Sequence, residues 1–176
     1  MSGLGETIVD AESIRRRIGE LAAAIDSHYA DVDGSVVLLC VLKGALIFTA
    51  DLVRRLTVPV EIEFVAMRSY GDGTRSSGRP ALTTEVAAQL RGRDVLIVED
   101  IVDTGHTVAA LREHLAELGA RSVRLVALLD KTSRRARPVH VDWRGFDIPD
   151  RFVVGYGLDH GERYRNLADV RVLDGA

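Results

Sequence analysis

The sequence has little of several residue types that mark whole classes of protein. Its 176 residues include one cysteine, four prolines and no low-complexity tract, which excludes a disulfide scaffold and gives no sign of a disordered linker. No apolar run reaches the roughly 18 residues that span a bilayer, and the polar N-terminus lacks the order of a signal peptide. The 23 basic and 26 acidic residues nearly balance, which argues against a nucleic-acid partner. We expect a cytoplasmic protein that binds neither nucleic acid nor membranes.

Lysine is the scarcest charged residue. The chain has 21 arginines but only two lysines, Lys43 and Lys131, and both follow apolar strand-like runs. Open α/β sheets bind ligands at such strand ends, so the two lysines are candidate site residues. Their positions would then require a compact ammonium group, or the backbone geometry next to it, in place of the planar guanidinium of arginine. The alternative is that lysine occurs at these two positions by chance. The runs Arg15–Arg17 and Arg134–Arg135 lie among acidic residues and are expected to be solvated.

Short apolar runs alternate with helical periods. Strands are predicted at 36–42, 60–70, 94–100 and 122–130, and helices at 10–28, after Gly44, and at 107–119. Strands this apolar are typical of a parallel sheet buried on both faces, so Cys40 is expected to be a buried strand residue. The prediction is an α/β fold with an open, twisted, mostly parallel sheet flanked by helices.

The ends of the chain do not fit this alternation. We expect one domain over residues 1–176, with a core of about 30–135 and a small hood from about 1–15 and 138–176. The segment 71–78, GDGTRSSG, has almost no apolar side chain and is predicted to be a mobile loop.

An acidic turn marks the end of the third apolar run, in VLIVEDIVDTGHT, residues 95–107. Glu99 and Asp100 put two carboxylates at a strand tip, and 103–107 offers a glycine and hydroxyls before a helix, where backbone N–H groups bind anions. Carboxylates repel phosphate, so they must meet sugar hydroxyls or a metal ion instead. A ribose 5-phosphate fits both halves. The alternatives are solvated loop charges and, for Asp103, a helix N-cap.

Other phosphate motifs are missing. Neither lysine lies in a GxxxxGK[ST] loop, and Gly155-Tyr156-Gly157 begins a dinucleotide pattern without the helix that should follow. An NAD-binding oxidoreductase is therefore disfavoured.

The 95–107 segment resembles the phosphoribosyl-diphosphate motif of the purine phosphoribosyltransferases, particularly the hypoxanthine-guanine branch. The resemblance runs from about residue 36 to 167 and includes, in that branch's order, VLKGALIF, MRSYGDGT, LLDKTSRR, FVVGYGLD and ERYRNL. It implies the type I phosphoribosyltransferase fold and transfer of phosphoribosyl from phosphoribosyl diphosphate to N9 of hypoxanthine or guanine.

The resemblance also implies a role for each candidate residue. The ribose and 5-phosphate would be held by Glu99, Asp100, Asp103, Thr104, Gly105, His106 and Thr107, with Mg²⁺ at Glu99, Asp100 and Asp159 and with Asp103 as the catalytic base. The diphosphate would be held by Lys43, Gly44 and Arg165, and the purine by Lys131, Phe152 and Val153. Ser69 and Tyr70 would begin a loop that closes over the site. The branch more often has a second glycine where this chain has Ala45.

Three alternatives remain open at this stage. One is a preference for xanthine, another is a silent nucleotide- or RNA-binding regulator of the same fold, and the third is adenine, which Lys131 disfavours because an ammonium donates to an oxo group. The resemblance suggests a homodimer or homotetramer.

Overall fold

The computed structural model describes residues 3–66 and 84–175. The helices are α1 (Ala11–Tyr29), α2 (Leu46–Val53), α3 (Thr84–Leu90) and α4 (His106–Glu117), with a 3-10 turn at Thr132–Arg134. The strands are β1 (Gly3–Val9), β2 (Val36–Leu42), β3 (Val60–Ala66), β4 (Asp94–Val102), β5 (Ser122–Asp130), β6 (Trp143–Asp147), β7 (Val153–Val154) and β8 (Val170–Asp174). The predicted mobile loop, with Ser69 and Tyr70, lies outside the described residues.

The main sheet has five parallel strands in the order β3-β2-β4-β5-β6. Its central strands β2 and β4 are almost wholly buried, as a strand covered on both faces must be. Cys40 lies between Phe64 and Val98 of the neighbouring strands and is fully buried, so the prediction of a buried strand cysteine is confirmed.

Helices cover both faces of this sheet. The apolar stripe of α1, Ile14, Ile18, Leu21 and Ile25, joins α2 in the core on one face, and Leu111 and Leu115 of α4 pack on the other. Asp10 caps α1, because its carboxylate accepts the Ser13 N–H at 2.8 Å. The predicted α/β architecture is confirmed. No helix among the described residues is long and apolar enough to cross a membrane.

A second, three-stranded antiparallel sheet in the order β1-β8-β7 brings the two ends of the chain together. This small sheet differs from the hood expected at 1–15 and 138–176. α1 begins at Ala11 and packs against β6, and β6 itself pairs with β5 in the main sheet. Both therefore belong to the core.

One strand boundary bears on the site. The third apolar strand was predicted to end at residue 100, but β4 continues to Val102. Glu99 and Asp100 therefore lie within the last residues of the strand rather than after it, and Glu99 pairs in register with Ala127 of β5. A strand backbone holds their carboxylates more firmly than a loop would.

Candidate active site

A cleft of about 610 Å³ opens at the carboxyl end of the main sheet. Three adjacent parallel strands end there: β2 before Lys43, β4 before Asp103 and β5 before Lys131. The cleft is lined by Leu42, Lys43, Gly44, Asp100, Ile101, Asp103, Lys131, Arg134, Asp150, Phe152, Val153, Leu158, Asp159, Glu162 and Arg165. The expectation that both lysines follow strands at one ligand-binding edge agrees with this geometry.

Asp100 lies at the floor of the cleft, and Glu99 precedes it in β4 without lining the cleft. Glu99 is buried and its Oε2 atom has no hydrogen-bond partner among the described residues. Burial raises the pKa of Glu99 well above its usual range, and the neighbouring Asp100 carboxylate raises it further. Burial also raises the pKa of Asp100 to about 6. Buried, adjacent carboxylates of this kind favour either a bound proton or a cation.

The same carboxylates are suitable ligands for Mg²⁺. That ion usually binds one or two protein carboxylates and completes its coordination with substrate phosphate oxygens and water. No group of three possible metal ligands lies close enough in residues 3–66 and 84–175 to form a full protein cage. The third predicted ligand, Asp159, lines the cleft, but its Oδ1 is 2.7 Å from the Arg165 guanidinium.

The loop between Leu42 and α2 approaches this floor very closely. A Cβ atom on Gly44 would lie 1.6 Å from Oδ2 of Asp100, so only glycine leaves room for that carboxylate. The Leu42–Lys43 peptide bond is cis. Ala45, where the resemblance leads one to expect a second glycine, is fully buried in a right-handed helical conformation and begins α2. The backbone at this position therefore does not require glycine.

Asp103 faces two basic side chains across the cleft. Its Oδ2 lies 3.9 Å from Lys131 Nζ, and its Oδ1 lies 3.3 Å from Arg134 Nε. The Lys131 side chain is only 7% exposed, so it is not a surface lysine. Asp103 is also not a helix cap, because the N-cap of α4 is Gly105.

The 103–107 segment turns sharply into α4. Gly105 has φ +85°, and a Cβ there would lie 2.7 Å from the Arg137 carbonyl oxygen, so glycine is needed for conformation and space. The carbonyl of Thr104 accepts the N–H groups of Ala136 and Arg137, both at 3.0 Å. The exposed His106 ring lies 3.1 Å from the Thr104 hydroxyl. Residues 104–107 follow Asp103 directly but are not among those lining the cleft.

Phe152 and Val153 form the wall contributed by the small sheet. Phe152 is 45% exposed although apolar, which contradicts a purely core role, and its ring meets His160 edge to face at 5.4 Å. Val153 is buried in β7. An exposed aromatic side chain in the same cleft as Lys131 and Asp103 can provide a stacking surface for a planar ligand.

Sequence reasoning missed several residues at this cleft. Arg134 was expected to be solvated but pairs with Asp103 and, at 3.5 Å, with Asp150. Arg135 was also expected to be solvated, yet its side chain is 15% exposed and forms an ion pair with the buried Asp130. Glu162 lines the cleft with no assigned role. The only signal for these residues was their place inside the quoted segments LLDKTSRR and ERYRNL.

By its fold and its cleft, the chain is a phosphoribosyl transferase domain, and residues 5–160 match the family of that description. It is 44% identical to the hypoxanthine-guanine phosphoribosyltransferase of Mycobacterium avium, over 95% of this chain and 84% of the relative. It is 42% identical to the Bacillus subtilis enzyme of the same name, over 96% of this chain and 92% of that relative. The chain therefore belongs to the hypoxanthine-guanine phosphoribosyltransferase family.

A solved structure gives the same result. The hypoxanthine phosphoribosyl transferase of Trypanosoma cruzi superposes with a TM-score of 0.87 at 41% identity, covering 97% of this chain and 91% of that one. The predicted type I phosphoribosyltransferase fold is thus confirmed.

Proposed function

We propose that this protein transfers the 5-phosphoribosyl group of phosphoribosyl diphosphate to N9 of hypoxanthine or guanine, releasing diphosphate and forming IMP or GMP in purine salvage. The observation that carries the proposal is the Lys131–Asp103 pair, which lines one cleft together with Phe152 and Asp100. The relatives named above are enzymes of hypoxanthine and guanine, which supports this choice of base and gives no support to a silent regulator.

The purine half of the cleft supports base recognition and proton removal. The buried Lys131 ammonium is suited to donate to a 6-oxo group, and Phe152 offers its ring face to the purine plane while Val153 lines the edge beside it. Asp103 lies beside Lys131 and can accept the N7 proton as N9 is alkylated.

The sugar and diphosphate half supports charge compensation. Glu99 and Asp100 would hold the ribose hydroxyls. Together with Asp159 they would also hold Mg²⁺, which when bound would neutralise charge on the diphosphate. The 5-phosphate would meet the backbone N–H groups from Thr104 to Thr107 at the start of α4. Gly44, Lys43 and Arg165 would receive the diphosphate as negative charge grows on it. Ser69 and Tyr70 would begin the covering loop.

We extend the proposal to the setting of the enzyme. We expect the enzyme to use Mg²⁺ with phosphoribosyl diphosphate and to form a homodimer or homotetramer, as the resemblance to its family suggests. The single cysteine is buried and unpaired, as suits a reducing cytoplasm. The parallel core and the terminal strands would act as one domain over residues 1–176.

The direct test is turnover of purified protein with Mg²⁺, phosphoribosyl diphosphate and each of hypoxanthine, guanine and xanthine. We expect nucleotide from the first two bases, and comparison of kcat/KM will rank them against xanthine. Absence of turnover with every 6-oxopurine would refute the proposal.

Asp103→Asn tests the assignment of the base. Loss of a general base typically costs about 10²–10⁴ in rate, so we expect kcat to fall while binding of phosphoribosyl diphosphate changes little. Asp31→Asn, at an exposed position after α1, is the matched control and should retain full activity. Equal losses of rate and binding in Asp103→Asn would assign Asp103 to the phosphate loop instead.

A further inference from the structure

Glu162 lies at the rim of the cleft between the two cationic side chains proposed to receive the diphosphate. Its Oε1 is 2.9 Å from Lys43 Nζ, and its Oε2 is 3.3 Å from an Arg165 guanidinium nitrogen. Lys43 follows β2, whereas Glu162 and Arg165 lie beyond β7, so this one carboxylate joins two walls of the cleft. The charges offered to a diphosphate are already in contact with an anion of the protein itself.

We propose that the Glu162 carboxylate is a built-in substitute for the diphosphate, which holds Lys43 and Arg165 in the ligand-free cleft and must be displaced when the diphosphate group binds. The inference deepens the proposed function and rests on its assignment of these two cations. It makes Glu162 a residue that sets the affinity for substrate and the release of product, rather than a contact to either.

The backbone aims Glu162 into the cleft. The residue has φ +62°, a conformation rarely adopted outside glycine, and its N–H donates to Asp159 Oδ2 at 2.8 Å. His160 and Arg163 exchange backbone hydrogen bonds around it, both at 3.2 Å. The side chain itself is 65% exposed. It can therefore swing away without uncovering any part of the core.

Arg165 does not need Glu162 to keep its place. Its Nη1 donates to the Gly157 carbonyl at 2.7 Å and its Nη2 contacts Asp159 at 2.7 Å. Its Nε is buried and lacks a partner among the described residues. A guanidinium fixed on one side, with a donor still free, is prepared for a further acceptor. Removing the Glu162 charge should therefore leave Arg165 in position.

Electrostatics give the expected direction. Without Glu162, Lys43 would lose its carboxylate partner, whereas Arg165 would keep Asp159. With Glu162 in place, an incoming diphosphate meets a carboxylate that repels it and competes for both cations. Hydrogen bonds from Lys43 and Arg165 lower the pKa of Glu162, so the competing carboxylate stays charged at neutral pH.

The test is calorimetric titration of Mg²⁺ and diphosphate into the full chain, without base, for the unchanged protein and Glu162→Gln. Loss of the competing carboxylate predicts roughly two- to thirtyfold tighter diphosphate binding in the variant. The product-inhibition constant of diphosphate should fall by a similar factor, whereas KM for the purine should not change. Glu162→Ala should act in the same direction.

Glu12→Gln is the matched control. Glu12 is equally exposed, at 65%, and pairs with Arg15 at 2.6 Å on α1, so diphosphate binding should not change. Weaker binding in Glu162→Gln would make Glu162 a positioning residue and overturn the inference, as would unchanged binding. If the unchanged protein turns over no 6-oxopurine but diphosphate binding still tightens in the variant, the proposed function fails and the displacement stands.

Discussion

Replacing Gly44 by alanine tests whether the floor of the cleft depends on one missing side chain. The alanine Cβ would lie 1.6 Å from Asp100 Oδ2 and 2.6 Å from its Cγ. Since such contacts are essentially never shorter than 3.0 Å, the carboxylate would have to retreat by about 1.4 Å. The backbone at Gly44 has little freedom to move instead, because its carbonyl oxygen packs so closely on Gly157 that a Cβ there would lie 2.2 Å away.

The size of the displacement sets the expected loss. A misplacement of about 1 Å at a reacting centre can reduce the rate about 10²-fold, so we expect Gly44→Ala to lower kcat by a factor of that order. Overpacking a tight site costs about 1–3 kcal/mol, and each kcal/mol lowers Tm by roughly 2–4 °C in a chain of this length. Steady-state kinetics with hypoxanthine and thermal unfolding measure the two effects.

Gly19→Ala is the matched control. Gly19 lies within α1, and a Cβ there would meet no atom within 4 Å. Alanine should therefore raise stability by about 0.5–1 kcal/mol and leave kcat unchanged. If Gly44→Ala kept the kcat of the unchanged protein, Asp100 would have to act from a position displaced by more than 1 Å, and its proposed role in holding the ribose would be refuted.

Two further predictions concern buried polar groups. Tyr156→Phe removes a hydrogen bond from the buried hydroxyl to the Asp51 carboxylate, which should cost about 1.5–3 kcal/mol. Tyr29→Phe removes a buried hydroxyl that has no partner among the described residues and should cost nothing. Equal losses of unfolding free energy in urea would contradict this. Because the folded pKa of Glu99 is raised above the usual 4.5, its proton is retained on folding and stability falls as the pH rises beyond that value. Metal-free Glu99→Gln should therefore have the higher Tm at about pH 8 and lose this advantage at about pH 4; a gap independent of pH would contradict it.

The elements that the sequence predicted well are those whose burial is nearly complete. β2 is an uninterrupted apolar run, and β4 and β5 contain the buried apolar runs 95–98 and 125–129. A strand covered on both faces accommodates such runs. β6 was missed for the opposite reason, because its sequence WRGFD is only half-buried. Its Gly145 lies so close to β5 that a Cβ would be 2.3 Å from the Leu128 carbonyl, and such a contact leaves no periodic signal.

The residues of the candidate site also fall into a group that the sequence predicted and a group that it did not. Lys43, Asp100 and Lys131 were predictable because each stands at the end of an apolar run, where strand geometry alone directs it to the ligand edge. Arg134 and Glu162 were not, since both are exposed charges in irregular segments. Their partners, Asp103 and Lys43, lie 31 and 119 positions away along the chain, and only the folded topology brings them together.

The charges of the cleft are arranged in two layers, one that favours a cation and one that favours an anion. At the floor, Asp100 and its neighbour in β4, Glu99, have raised pKa values because burial removes their carboxylates from water, so this layer gains from a cation. At the rim, Lys43 and Arg165 hold a carboxylate of the protein itself, so this layer gains from a stronger anion. Either ligand alone would satisfy one layer and leave the other as it was. A metal-bound phosphoribosyl diphosphate satisfies both at once, and the free-energy gain from the floor can then offset the displacement of Glu162 at the rim.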